Sequence, residues 1–178
     1  DDLRRRAQWQ RLRGQGPLRV RARVASRLYD GQIEVVSACI PGETDEEVLL
    51  VAHLCHPQAS ANDNASGAGA ILEAARTLRA LIDSGRLPKP RRNIRLLWVP
   101  EMTGTYAYLA THDEERQRTV AGINLDMVGE NQTLCDSVFL IERPPEAMPS
   151  FAGDLAEALR EIMQEGAAGH SGLGSYPL

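Results

Sequence analysis

Two histidines, a cysteine and an aspartate crowd residues 53–63 of the stretch VAHLCHPQASANDNASGAGA (51–70), directly after a strongly apolar run. Farther along, Glu101 follows RLLWVP and Asp126 closes AGINLD. Imidazole and carboxylate are the usual nitrogen and oxygen ligands of zinc, and a catalytic zinc keeps one position open for water. Two such ions about 3.5–4 Å apart, sharing a carboxylate, can hold an attacking hydroxide and a substrate carbonyl together. A nearby glutamate can then carry a proton from water to the leaving amine. Each residue also has a plainer role: His53 as a hydrogen-bonded loop residue, Asp63 as a helix initiator, Asp126 as a turn cap, and Glu101 as a partner for one of the many arginines. Three titratable groups at corresponding strand ends, with a fourth in the loop after the first, favour the metal reading over four separate accidents.

The elements that must position these groups are legible from periodicity. LRVRARVA (18–25) alternates apolar residues with arginine, the period of a half-exposed strand, and IEVVSACI (33–40) follows the turn DGQ, so 18–40 reads as a hairpin. VLLVAH (48–53) and NIRLLWV (93–99) are continuous apolar runs of the kind buried on both faces of a sheet. Between them, Ala68, Ile71, Leu72, Ala75, Leu78 and Ile82 recur at helical spacing from about Ala65 to Ser84, with Gly85 as a stop. GTYAYLATHDEERQ (104–117) reads as a short helix, VAGINLDMV (120–128) and SVFLIE (137–142) as strands, and FAGDLAEALREIMQEG as a helix capped by Ser150. This order implies an α/β fold, a three-layer α/β/α sandwich with a mixed, largely parallel central sheet. Ligands in such folds gather outside the carboxyl ends of the strands, where His53, Glu101 and Asp126 fall; Asp63 lies in the loop leading into the long helix.

Composition narrows the functional classes. The 178 residues carry a net charge of −4, 43% hydrophobic and 25% charged residues, within the range of ordinary globular chains. This balance offers no reason to expect nucleic acid; the arginine cluster RRRAQWQRLR reads as the solvated face of a short helix or linker over 1–16, ahead of a domain spanning 17–178. Cys39, Cys55 and Cys135 form an odd set without C-x-x-C spacing, which disfavours a disulfide framework and points to a reducing, cytoplasmic setting. No apolar run is long enough to suggest a membrane span. Gly67 and Gly69 lack the third glycine of a dinucleotide loop, since Leu72 stands there, and neither a P-loop nor a G-x-S-x-G elbow is present. Cys55 is flanked by His56, but adjacent residues on an extended segment point to opposite sides, so this pair is poorly placed for thiol catalysis.

The segments VLLVAHLCHP, ANDNASGAGAILEAARTL, NIRLLWVPEMTGTYAYL and INLDMVGEN, within residues 31–130, resemble in order and spacing the co-catalytic zinc aminopeptidases, relatives of glutamate carboxypeptidases and glutaminyl cyclases. NDNASG and NLDMVG are the specific pieces, and H-x-C-H-P with N-D-N-x-S-G resembles an aminopeptidase-like bacterial branch. The resemblance implies that His53 and Asp126 hold one zinc, that Asp63 bridges two, and that a cis peptide follows Asp63. It also implies an acidic pair for the general base and a second-zinc ligand, where this chain has Glu101 followed by Met102. Glu101 stands at the family's base position, although the alignment leaves its role as base or ligand open. Cys55 replaces the aspartate that orients the first histidine, a role left to His56 or a backbone carbonyl. His170 sits in a glycine-rich tail unlike the context of the family's downstream histidine ligand, so that ligand is expected outside this length of chain.

The implied function is zinc-dependent hydrolysis of a peptide or amide bond in a peptide or aminoacyl substrate. One zinc is expected more readily than two. The alternative is a metal-binding or recognition module that keeps the fold without efficient catalysis. Oligomeric state and side-chain preference are not legible from the residues.

Overall fold

A computed structural model describes residues 2–145 and 147–167, with side chains through Met163; His170 lies outside the described residues. Two compact units divide the chain, Asp1–Gln32 and Ile33–Leu178. The first holds helix α1 (Asp2–Leu12), none of whose residues is buried. No strand forms over 18–25, and the hairpin expected for 18–40 is absent: only Val36–Ile40 becomes a strand, β1. Alternation alone cannot hold a strand whose apolar side has nothing to cover it, and Val20 and Val24 stay exposed.

The second unit is built around a four-stranded sheet of order β1-β3-β2-β4, formed with β2 (Glu47–His53), β3 (Asn93–Val99) and β4 (Thr119–Asn124). β2 pairs in parallel with β3 and β4 on its two sides, whereas β1 runs antiparallel to β3. The mixed, largely parallel α/β sheet is therefore present. Side chains alternate between its faces, as the period of two requires. Leu49, Val51, Leu97 and Val99 pack with Tyr108 of helix α3 (Thr103–Thr111) on one face. Ala52, Leu96 and Trp98 pack with Ile71, Ala68 and Ala75 on the other, next to helix α2 (Gly67–Asp83). Full burial of Ile71 contributes about 1.5–3 kcal/mol, and the Trp98 indole N–H is satisfied by the Ala68 carbonyl at 3.1 Å.

The amino end of β2 is tied by a different force. Glu47, 3% exposed, accepts two hydrogen bonds from Arg95 of β3, at 3.1 and 2.7 Å. That carboxylate, through its hydrogen bonds, raises the pKa of the already basic guanidinium further.

Two further expectations need correction. The helix expected for 104–117 is broken at His112, whose non-helical backbone separates α3 from helix α4 (Asp113–Arg118). The acidic residues Asp113, Glu114 and Glu115 open the new helix, where the dipole favours them. SVFLIE forms no strand: after the short helix α5 (Gln132–Cys135), residues 138–145 are irregular, with Val138, Phe139 and Leu140 exposed. An apolar run needs a partner edge as well as β propensity. Helix α6 (Phe151–Ala167) begins as expected, with the Ser150 hydroxyl accepting the Ala152 N–H at 3.2 Å. Among the described residues, no helix is long and apolar enough to cross a membrane.

Candidate metal centre

Sheet topology already selects a place for chemistry. From β2 the chain moves to β3 on one side and then crosses to β4 on the other, so the strand order reverses between β2 and β4. Crevices at such reversals, outside the carboxyl ends, are the usual ligand sites of open α/β sheets. Parallel register pairs His53 with Val99 and Val51 with Asn124, and the Leu125 N–H continues the ladder to the Val51 carbonyl at 2.9 Å. The last residue of β2 therefore lies beside Asp126 on one side and two residues short of Glu101 on the other.

His53 is 5% exposed, and its Nδ1 lies 2.8 Å from the Cys55 carbonyl oxygen. A contact that short to a carbonyl assigns the proton to Nδ1, leaving the Nε2 lone pair facing outward. Nε2 meets Asp63 Oδ1 at 3.1 Å and Asp126 Oδ1 at 3.5 Å, yet as a buried atom it has no hydrogen-bond partner. A lone pair facing two carboxylates is repulsive unless a proton or a metal cation lies between them. Ligand atoms of His53, Asp63 and Asp126 all fall within 4.8 Å of one another. Two donors at about 2.0 Å from a tetrahedral zinc are separated by about 3.3 Å, a spacing that these contacts bracket. The donor set fits a metal ion.

Asp63 reaches this place through a wide turn, Ala61–Ser66, in which Asp63 and Asn64 leave helical backbone geometry. The Asp63–Asn64 peptide is cis. Ser60 Oγ accepts the Asp63 N–H at 3.2 Å. The neighbours of Asp63 then bind the loop to the segment carrying Asp126. Buried Asn64 donates to the Leu125 carbonyl at 2.8 Å and accepts the Gly67 and Met127 N–H groups at 3.0 and 3.2 Å. Asn62 accepts the Gly129 N–H at 3.1 Å and donates to Glu130 at 3.0 Å, while Ser66 Oγ accepts the Val128 N–H at 3.0 Å. Asn62, Asn64 and Ser66 were not among the residues singled out by sequence reasoning. Their signal was a run of small polar side chains on both sides of an acidic candidate, suited to capping a distant backbone.

Gly67 has a more specific reason than a tight turn, since its φ of −64° is open to any residue. A Cβ there would overlap the Leu125 carbonyl oxygen and the Asn64 side chain. Positive φ occurs instead at Met102 (52°) and Met127 (53°), immediately after Glu101 and Asp126. Such geometry costs a non-glycine residue about 1–3 kcal/mol and is concentrated at functional sites.

Glu101 is exposed, outside the three-residue group, and its carboxylate has no hydrogen bond or ion pair among the described residues. Its backbone is held by Cys55, whose Sγ accepts the Glu101 N–H at 3.0 Å. The thiol thus anchors the loop after β3, while the Cys55 carbonyl orients His53. His56 turns neither ring nitrogen toward that thiol: Nδ1 lies 2.7 Å from the Gln58 carbonyl and Nε2 3.1 Å from Asp63 Oδ2.

Residues 15–137 match the family described as "Domain of unknown function (DUF4910)", and the chain belongs to that family. Over 107 residues it is 31% identical to a Clostridium acetobutylicum protein named "Putative polysaccharide biosynthesis protein with aminopeptidase-like domain". That match covers 60% of this chain and 23% of the relative, so the chain spans less than a quarter of the relative's length.

Proposed function

We propose that this chain carries the catalytic face of a zinc-dependent hydrolase of peptide or amide bonds, acting in aminopeptidase fashion on a peptide or aminoacyl substrate. The observation that carries the reading is the buried His53 Nε2, stripped of hydrogen-bond partners and aimed at Asp63 and Asp126. His53, Asp63 and Asp126 would hold the ion, and bound zinc supplies a water whose pKa is lowered to about 7. Glu101 is the proton carrier. Its unpartnered carboxylate is free to take a proton from water and deliver it to the departing amine, and the Cys55 thiol keeps its backbone at the mouth of the strand. The aminopeptidase-like domain in the name of the Clostridium protein supports the same class.

A second reading is favoured by one observation. Met102, 64% exposed, follows Glu101 where the resembled enzymes carry a second acidic residue, consistent with a metal-binding recognition module of low activity.

One experiment separates the two. The full-length protein is loaded with zinc, its metal is counted, and aminoacyl amides are assayed with and without chelator, alongside Glu101→Gln. The hydrolase reading expects chelator-sensitive turnover that falls at least about 100-fold in Glu101→Gln with metal content unchanged. Equal inactivity of fully metallated wild type and variant would establish the recognition module instead.

A further inference from the structure

His56 stands outside the group formed by His53, Asp63 and Asp126, yet its ring is prepared in the same way. The Gln58 carbonyl lies 2.7 Å from Nδ1, as the Cys55 carbonyl lies 2.8 Å from that of His53, while the Gln58 N–H stands farther off at 3.4 Å, so the shorter contact favours a proton on Nδ1 and a free Nε2. Both imidazoles therefore turn Nε2 toward Asp63, and they meet different oxygens: His53 faces Oδ1 and His56 faces Oδ2, each at 3.1 Å. The spacing again matches two donors on one tetrahedral zinc, about 3.3 Å apart. His56 also lines an open cavity of about 370 Å³ with Gln58, Ser60, Asp63 and Asn64, which leaves room for water on an ion held there.

We propose that His56 Nε2 is the imidazole ligand of a second metal position, whose carboxylate is Asp63 Oδ2. This inference rests on the metal reading of His53, Asp63 and Asp126. It assigns the second ion a ligand next to the first histidine in the chain, in a loop that also fixes His53. The second position has two protein ligands against three at the first, and its histidine is more exposed, 35% against 5% for the side chains. It therefore fills second and empties first, because each added ligand strengthens the hold on the ion.

The test strips the full-length protein of metal and titrates it with Co²⁺, followed by its visible spectrum, and with Zn²⁺, counted after equilibrium dialysis. Wild type is expected to show two steps. His56→Ala and His56→Gln should weaken the second step by at least about tenfold and leave the first in place. Asp63→Ala should weaken both steps, and His53→Ala should remove the first. Circular dichroism and melting of the metal-free variants check that His56→Gln is folded, as expected for a partly exposed side chain. A single step in wild type, or a second step unchanged in folded His56→Gln, would overturn the proposal. Failure of the underlying reading looks different: His53→Ala would leave the tight step untouched, or two steps would stand without any hydrolysis.

Discussion

Replacing Asn64 with alanine should loosen the site without touching any candidate ligand. The amide is 4% exposed and makes three hydrogen bonds, to the Leu125 carbonyl and from the Gly67 and Met127 N–H groups. Each is worth about 0.5–1.5 kcal/mol net, and an N–H orphaned in a buried place costs about 1–3 kcal/mol. Gly67 is buried, whereas Leu125 and Met127 lie partly or wholly within reach of water, so only one orphan bears the larger cost. The expected loss is about 2–4 kcal/mol, a melting shift of roughly 5–15 °C for a chain of this size. Metal affinity should fall as well, by about 10–100-fold, because Asn64, with Asn62 and Ser66 beside it, links the turn bearing Asp63 to the segment bearing Asp126. The assay is urea unfolding of the metal-free protein, paired with a zinc titration of the same variant. Destabilisation below about 0.5 kcal/mol together with unchanged zinc affinity would refute the idea that this side chain joins the two loops.

Two other substitutions probe the frame around the site. Gly67→Ala should cost at least about 1–3 kcal/mol, since its Cβ would strike backbone at Leu125, whereas Gly69→Ala, facing open space in the same helix, should stabilise by about 0.5–1 kcal/mol; thermal melts of the two variants check the contrast. Glu47→Ala should cost about 3 kcal/mol by leaving Arg95 without its buried partner, read as a lower urea midpoint with an unchanged slope.

The parallel core was legible because buried strands announce themselves as unbroken apolar runs, and β2 and β3 fall where those runs fall. That His53 and Asp126 fall side by side could be read from their positions at neighbouring strand ends, since a parallel sheet brings all carboxyl ends to one edge, whereas Asp63 reaches them from the turn ahead of α2. Two strands were misread for a shared reason. LRVRARVA and SVFLIE have strand composition, but pairing is decided by a free edge and a surface to cover, which a local pattern does not encode. The role of Cys55 was only half legible: a backbone carbonyl was one of the two expected partners of His53, and the Cys55 carbonyl is that partner, but that the thiol serves Glu101 only the folded loop reveals.

The stitching of residues 62–66 to residues 125–130 bears on how the protein is made. A ribosome that has delivered the chain through Arg118 has released β2, α2 and β3, with His53 and Asp63, but not Asp126 or the backbone groups that Asn62, Asn64 and Ser66 bind. The nascent chain then holds two of the candidate ligands without the third, and the partners of Asn62, Asn64 and Ser66 have yet to appear. A metal ion could therefore meet His53, Asp63 and Asp126 together only after β4 and the few residues behind it have emerged, when β2 and β3 are already available to pair.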